Sequence, residues 1–166
     1  MKQIYTILLV IFPLLLTAED NNQLISLRNQ FYAASEEKID LNHFASFIDE
    51  LKDSDNPTIQ AYRAMLYMLQ AKESWNPIKK FSHFNQGKNL LDKLISENQN
   101  NIELRFLRLC IQINLPSFLN YDNKDIDTMY LLKNLSKLKD QDLLNRINIF
   151  LNDNQLLSTN IQVKNG

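Results

Sequence analysis

Apolar side chains recur at three- and four-residue intervals along almost the whole chain, the spacing of one face of an α-helix. Leu24, Leu27, Phe31 and Tyr32 define a first helix over about 23–35. A second carries Phe44, Phe47, Ile48 and Leu51, with Asp40 or Asn42 available to cap it, and fades at Asp53-Ser54-Asp55-Asn56. Pro57 suits the first turn of a third helix, which runs to about Lys72 through Ile59, Ala61, Tyr62, Met65, Leu66, Met68 and Leu69. Asn76-Pro77 repeats that signal and opens a long fourth helix to about Glu97. The fifth, about Ile102 to Leu115, stops at Pro116. Asp125 and Asp140 are read as caps of two more helices. No strand pattern separates these segments. The pattern therefore predicts an all-α domain of about seven helices arranged as irregular antiparallel hairpins.

Helix five stands apart. Ile102, Leu104, Phe106, Leu107, Leu109, Cys110, Ile111 and Ile113 leave it few polar positions. A helix apolar nearly all round is expected to lie at the centre, with neighbours on most sides. Asn56 and Asn101, 45 residues apart, each open a strongly apolar helix, which suggests a hairpin repeat. That period exceeds the 34 residues of a tetratricopeptide unit, and the consensus Trp, Leu-Gly-Tyr and Ala positions are missing. The likeness is one of shape: tetratricopeptide-like without the motif.

The start of the chain follows a different rule. Met1-Lys2-Gln3 precedes an apolar run from Ile4 to Leu16, then Thr17-Ala18, then polar sequence from Glu19. A basic start, a short apolar centre and a small residue at the cut form the layout of a secretory signal. A bilayer span needs about 20 apolar residues, more than this run supplies. The division expected is a signal over 1–18, one helical domain over 19–152 and a loose polar tail over 153–166. The destination is the periplasm or the exterior, with no stable membrane span in the mature chain.

Composition narrows the functions. Without Lys2, the 18 basic side chains become 17 against 19 acidic ones. A near-neutral balance argues against a nucleic-acid binder, which needs a basic footprint, and against docking on an anionic membrane surface. The one cysteine, Cys110, can form no internal disulfide, and its apolar setting predicts a small buried hydrophobe. Gly87 and Gly166 are the only glycines, too few for phosphate loops or a dinucleotide fingerprint. His43 and His83 have no second ligand at metal spacing, and Asp122, Asp125 and Asp127 lack the glycine and glutamate of a calcium loop. No catalytic residue, cofactor site or metal site is assigned.

Asn76-Pro77, Lys80, Phe84 and Gly87, then Asn101 to Arg108, then Pro116-Ser117-Phe118-Leu119 and Tyr121, resemble a group of uncharacterised exported α-helical bacterial proteins. The resemblance covers about residues 75–122. It implies export and helical architecture and carries no activity with it.

Two polar stripes supply the candidate site. On helix five, Asn101, Arg105, Arg108 and Gln112 fall within about 60° of one another. On helix three, Gln60, Arg63, Tyr67 and Gln70 form a similar line. If these helices are equivalent members of successive hairpins, Gln60, Arg63, Tyr67, Arg105, Arg108 and Gln112 line a shared groove. Guanidinium forks suit a carboxylate, such as an acidic peptide or partner segment. The alternative use of Arg105 and Arg108 is internal, paired with Asp92, Glu97 or Asp122 at the core edge. Trp75 and Phe84 are expected to anchor one hairpin on the next, with an aromatic patch for a partner as the other use. Gly87, unfavourable inside a helix, implies close approach of a neighbour. The function expected is an exported, non-catalytic binding or scaffolding protein with a protein or peptide partner. The alternatives are a structural component of an envelope complex, or an enzyme whose site is assembled from distant helices.

Overall fold

The computed structural model describes residues 21–116, 119, 121 and 124–157. The predicted signal, Asp122 and residues 158–166 lie outside them. Seven α-helices make up the described part: α1 over 21–35, α2 Leu41–Glu50, α3 Pro57–Glu73, α4 Pro77–Glu97, α5 Ile102–Asn114, α6 Lys124–Asn134 and α7 Gln141–Asp153. A short 3-10 turn, Leu135–Lys137, extends α6. No strand occurs among the described residues, so the all-α class holds. None of these helices is long and apolar enough to cross a membrane.

Short polar side chains set the helix starts, because the first N–H groups of a helix have no intrahelical acceptor. Asp40, rather than Asn42, caps α2 by accepting from the Asn42 N–H. Asn56, Asn76 and Asn101 accept from the first turns of α3, α4 and α5, and Pro57 and Pro77 occupy first positions whose N–H would be idle. Asp140 caps α7 through the Leu143 N–H. Asp125 does not cap α6: the helix already includes Lys124, and Asp125 sits in its first turn with Asp127. A carboxylate there complements the helix dipole without being the cap. The tail also begins later than expected, since α7 runs to Asp153 and Leu156 packs against the core beneath it.

The helices α3 and α4 form the tightest hairpin. His83 lies opposite Tyr67 and Gly87 opposite Ala64, so the two run antiparallel. A Cβ on Gly87 would meet the Ala64 carbonyl oxygen at 2.7 Å, which is the close approach that the glycine permits.

Two apolar clusters share α5. Leu104, Leu107 and Ile111 face the larger cluster with Leu27, Phe31, Phe44, Ile48, Tyr62 and Leu91. Phe106 and Leu109 face the smaller one with Leu131, Leu143, Ile147 and Leu151. Helix α5 is therefore the central helix that its all-round apolar sequence predicts. Asn101, besides capping α5, donates from its amide to the Thr58 hydroxyl at 3.0 Å and so ties α5 to the start of α3.

Candidate functional site

The polar residues of α5 are used in two opposed ion networks. On one side, Glu103 is 4% exposed and receives Arg28, itself 1% exposed. Arg28 Nε donates to Oε1 and Nη2 to Oε2, both at 2.7 Å, and the Tyr62 hydroxyl donates to Oε1 at 2.8 Å. The remaining donors of Arg28 reach Asp140 at 2.8 Å and Asp142 at 2.9 Å. Arg146 adds two contacts to Asp142 and stacks its guanidinium on the Tyr32 ring. The cluster holds Arg28 and Arg146 against three carboxylates, a formal excess of one negative charge beside the N-terminus of α7, where the dipole favours anions.

Protonation follows from these contacts. Burial works against the charge on Arg28, yet its bonds to Glu103, Asp140 and Asp142 prevail and raise its pKa. Burial likewise opposes the charge on Asp142, but Arg146 and Arg28 hold it below the ordinary carboxylate value. Burial first, then the Glu103 charge and hydrogen bond, push the Tyr62 phenol well up. The result is a permanently charged guanidinium fork held by carboxylates.

On the other side of α5, Asp127 has a fully buried side chain and receives Arg108 at 2.6 and 2.8 Å and Arg105 at 3.2 Å. Arg108 also reaches Asp92 at 3.2 Å, and the Tyr121 hydroxyl donates to Asp92 at 2.7 Å. The guanidinium of Arg105 lies over the Tyr130 ring. Hydrogen bonds from Arg108 to Asp127, outweighing burial, raise the Arg108 pKa further.

The six stripe residues thus meet different fates. Arg105 and Arg108 engage Asp127, so an anionic ligand on them would compete with a buried carboxylate. Gln60 donates to the Ser54 carbonyl at 3.3 Å. Tyr67 stacks on His83 at 6.4 Å between ring centroids. Gln112 is buried, with neither amide atom hydrogen-bonded among the described residues. Arg63 makes no ion pair among them. Of the internal partners expected, Asp92 is used, while Glu97 pairs with Lys93 instead. Cys110 is a free thiol whose burial pushes its pKa well up, the opposite of a reactive thiolate.

Arg28 and Asp127 are the residues that sequence reasoning missed. The signal available was an arginine between Leu27 and Phe31, on the apolar face of α1, a position that only a paired cation occupies.

The aromatic residues near Asn76 also divide. Phe84 is buried and meets Tyr121 edge-on at 6.3 Å. Trp75 anchors nothing: it is 100% exposed, with Ile78 at 82% and Phe81 at 59%. A hydrophobic residue before a helix cap ordinarily packs on the fourth helical residue, which here is Lys80. Deprived of that partner, Trp75 projects from the α3–α4 turn. It stands at the rim of an open groove lined also by Ile39 of the α1–α2 turn, by Leu41 and Ala45 of α2, and by Gln70 and Lys72 of α3. Family models, curated proteins and solved structures were all searched, and none matches this chain.

Proposed function

We propose that the chain is an exported, non-catalytic binding or scaffolding protein whose partner docks on the turn between α3 and α4. The carrying observation is the stripe of Trp75, Ile78 and Phe81, the three most exposed large apolar side chains among the described residues. Contiguous exposed apolar surface of this kind marks interaction sites. The fate of the ionisable groups supports the non-catalytic part: the carboxylates and guanidinia of both networks are engaged with one another inside the fold. The test is co-purification from the native source with the parent and with Trp75→Ala and Phe81→Ser. Loss of a partner by both variants, with unchanged circular dichroism, is expected. Identical profiles for all three proteins would remove the turn as the binding surface.

A second reading keeps an acidic peptide as ligand of the Arg63 stripe. It is favoured by Arg63 alone, the one arginine of the six-residue set without a carboxylate partner among the described residues. Titration with an acidic peptide, parent against Arg63→Ala, tests it; equal response in the two would end it.

A further inference from the structure

We infer that the α3–α4 turn docks on the surface of an anionic phospholipid bilayer, which names the partner of the binding surface proposed above and rests on that reading. The net charge of the chain argues against such docking, but the charge is unevenly placed. Between Pro57 and Leu91 stand Arg63, Lys72, Lys79, Lys80 and Lys88 against Glu73 alone. Of these, Lys72 bridges to Glu37 and Lys88 to Asp92. Lys79 and Lys80 are exposed and make no ion pair among the described residues, and they lie between Ile78 and Phe81 in the chain. Aromatic and aliphatic side chains that project beside unpaired lysines are what an interfacial anchor needs: the rings enter the headgroup region while the ammonium groups meet lipid phosphates.

Two further features favour a bilayer over a protein partner. Trp75 is completely exposed at the edge of an open groove, whereas protein hot spots sit in surrounded, packed pockets. The backbone of the first turn of α4 is also satisfied, as an apolar medium requires. Pro77 has no N–H; Ile78 and Lys79 donate to the Asn76 side chain; Lys80 donates to the Asn76 carbonyl. The cap that starts α4 thereby satisfies the donors of that first turn.

Trp75 is the only tryptophan, so its fluorescence reports on this turn and on no other part of the chain. The full chain is titrated with phosphatidylcholine vesicles, with and without phosphatidylglycerol, and with vesicles whose acyl chains carry bromine as a quencher. The inference expects a blue shift and quenching on vesicles containing phosphatidylglycerol, weakened by salt. Lys79→Gln and Lys80→Gln should each raise the lipid concentration needed by about fivefold, and Phe81→Ser by at least tenfold, on the order of the loss of one buried apolar side chain. An unchanged emission spectrum would overturn it, even if the chain sediments with the vesicles, because the apolar N-terminal segment could carry it there. If emission is unchanged while Trp75→Ala loses a co-purifying protein, the lipid inference falls and the binding function stands. If neither vesicles nor any protein distinguish the tip variants from the parent, both fall.

Discussion

Arg28 and Glu103 meet fork to fork in the interior although 75 residues separate them, with both contacts at 2.7 Å. The pair joins α1 to α5, and its outer bonds to Asp140 and Asp142 carry the connection to α7. Leu27 beside Arg28 belongs to the larger apolar cluster and Leu143 beside Asp142 to the smaller one, so the pair constrains how the two dock.

Removing one member of a buried pair leaves the other charged, buried and poorly paired. Arg28→Met is therefore expected to cost about 3–5 kcal/mol of stability. The double change Arg28→Met with Glu103→Leu should recover much of that loss, since an apolar pair of similar size needs no compensation. Tyr62→Phe leaves Glu103 with both Arg28 contacts and should cost only about 1–2 kcal/mol. Urea unfolding of the three variants checks the order; an Arg28→Met loss below about 1 kcal/mol would contradict the pairing.

The pH response has two limbs with opposite signs. Asp142 has its folded pKa lowered, so it contributes stability above its unfolded value and loses that contribution as the pH falls through the folded one. Acid unfolding should thus begin below about pH 4, and Asp142→Asn should flatten this limb. Burial raises the phenols of Tyr32, Tyr62 and Tyr121. Their contribution is full below the ordinary phenol value of about 10 and is lost as the pH rises beyond it toward the folded values. An ultraviolet titration should show these three of the six tyrosines ionising only together with alkaline unfolding. Six independent titrations near the ordinary value would refute the buried placement.

Arg105 and Arg108 make a graded prediction, because they share Asp127 unequally. Arg108 supplies two contacts to that buried carboxylate and one to Asp92, whereas Arg105 supplies one contact and leaves its Nε without a partner. Arg108→Ala should cost about 3–5 kcal/mol and Arg105→Ala about 1–2 kcal/mol. Thermal unfolding with and without acidic peptide separates this structural role from ligand binding. A peptide-dependent rise in the parent's midpoint, abolished by a stability-neutral Arg105→Ala, would restore the groove as their purpose.

How much of this the sequence held depends on whether the cause was local. Caps and apolar period act within a turn or two, so Pro57–Glu73, Pro77–Glu97 and the central place of α5 were legible from Asn56, Asn76, Asn101 and the spacing of leucines. The pairing of Arg28 with Glu103 was not, since it depends on how α1 docks on α5, and no local rule encodes that. Asp127 was hidden for a related reason: its neighbours Asp122 and Asp125 made it look like part of an acidic loop, whereas it lies one helical turn into the face that meets Arg108. Trp75 failed in the other direction. Large aromatics are usually buried, and only the lysine at position 80 signalled that this one has nothing to pack on.

Gly87 offers the sharpest packing test, because two effects of opposite sign compete there. Replacing a mid-helix glycine by alanine ordinarily stabilises a helix by ~1 kcal/mol. Here the new Cβ would meet the Ala64 carbonyl oxygen at 2.7 Å and the Met68 Cε at 3.0 Å. The methionine tip can swing aside, but the carbonyl belongs to the backbone of α3 and moves only with the helix. Overpacking of this kind costs about 1–3 kcal/mol, so the steric term should win. Gly87→Ala is expected to be net destabilising by about 1 kcal/mol. Asn89→Ala, on the exposed face of the same helix, should instead stabilise by a few tenths of a kcal/mol through propensity alone. Urea unfolding of both variants against the parent reads the difference directly. If Gly87→Ala stabilised the domain as much as an unhindered site allows, α3 and α4 could not approach as closely as the structure places them.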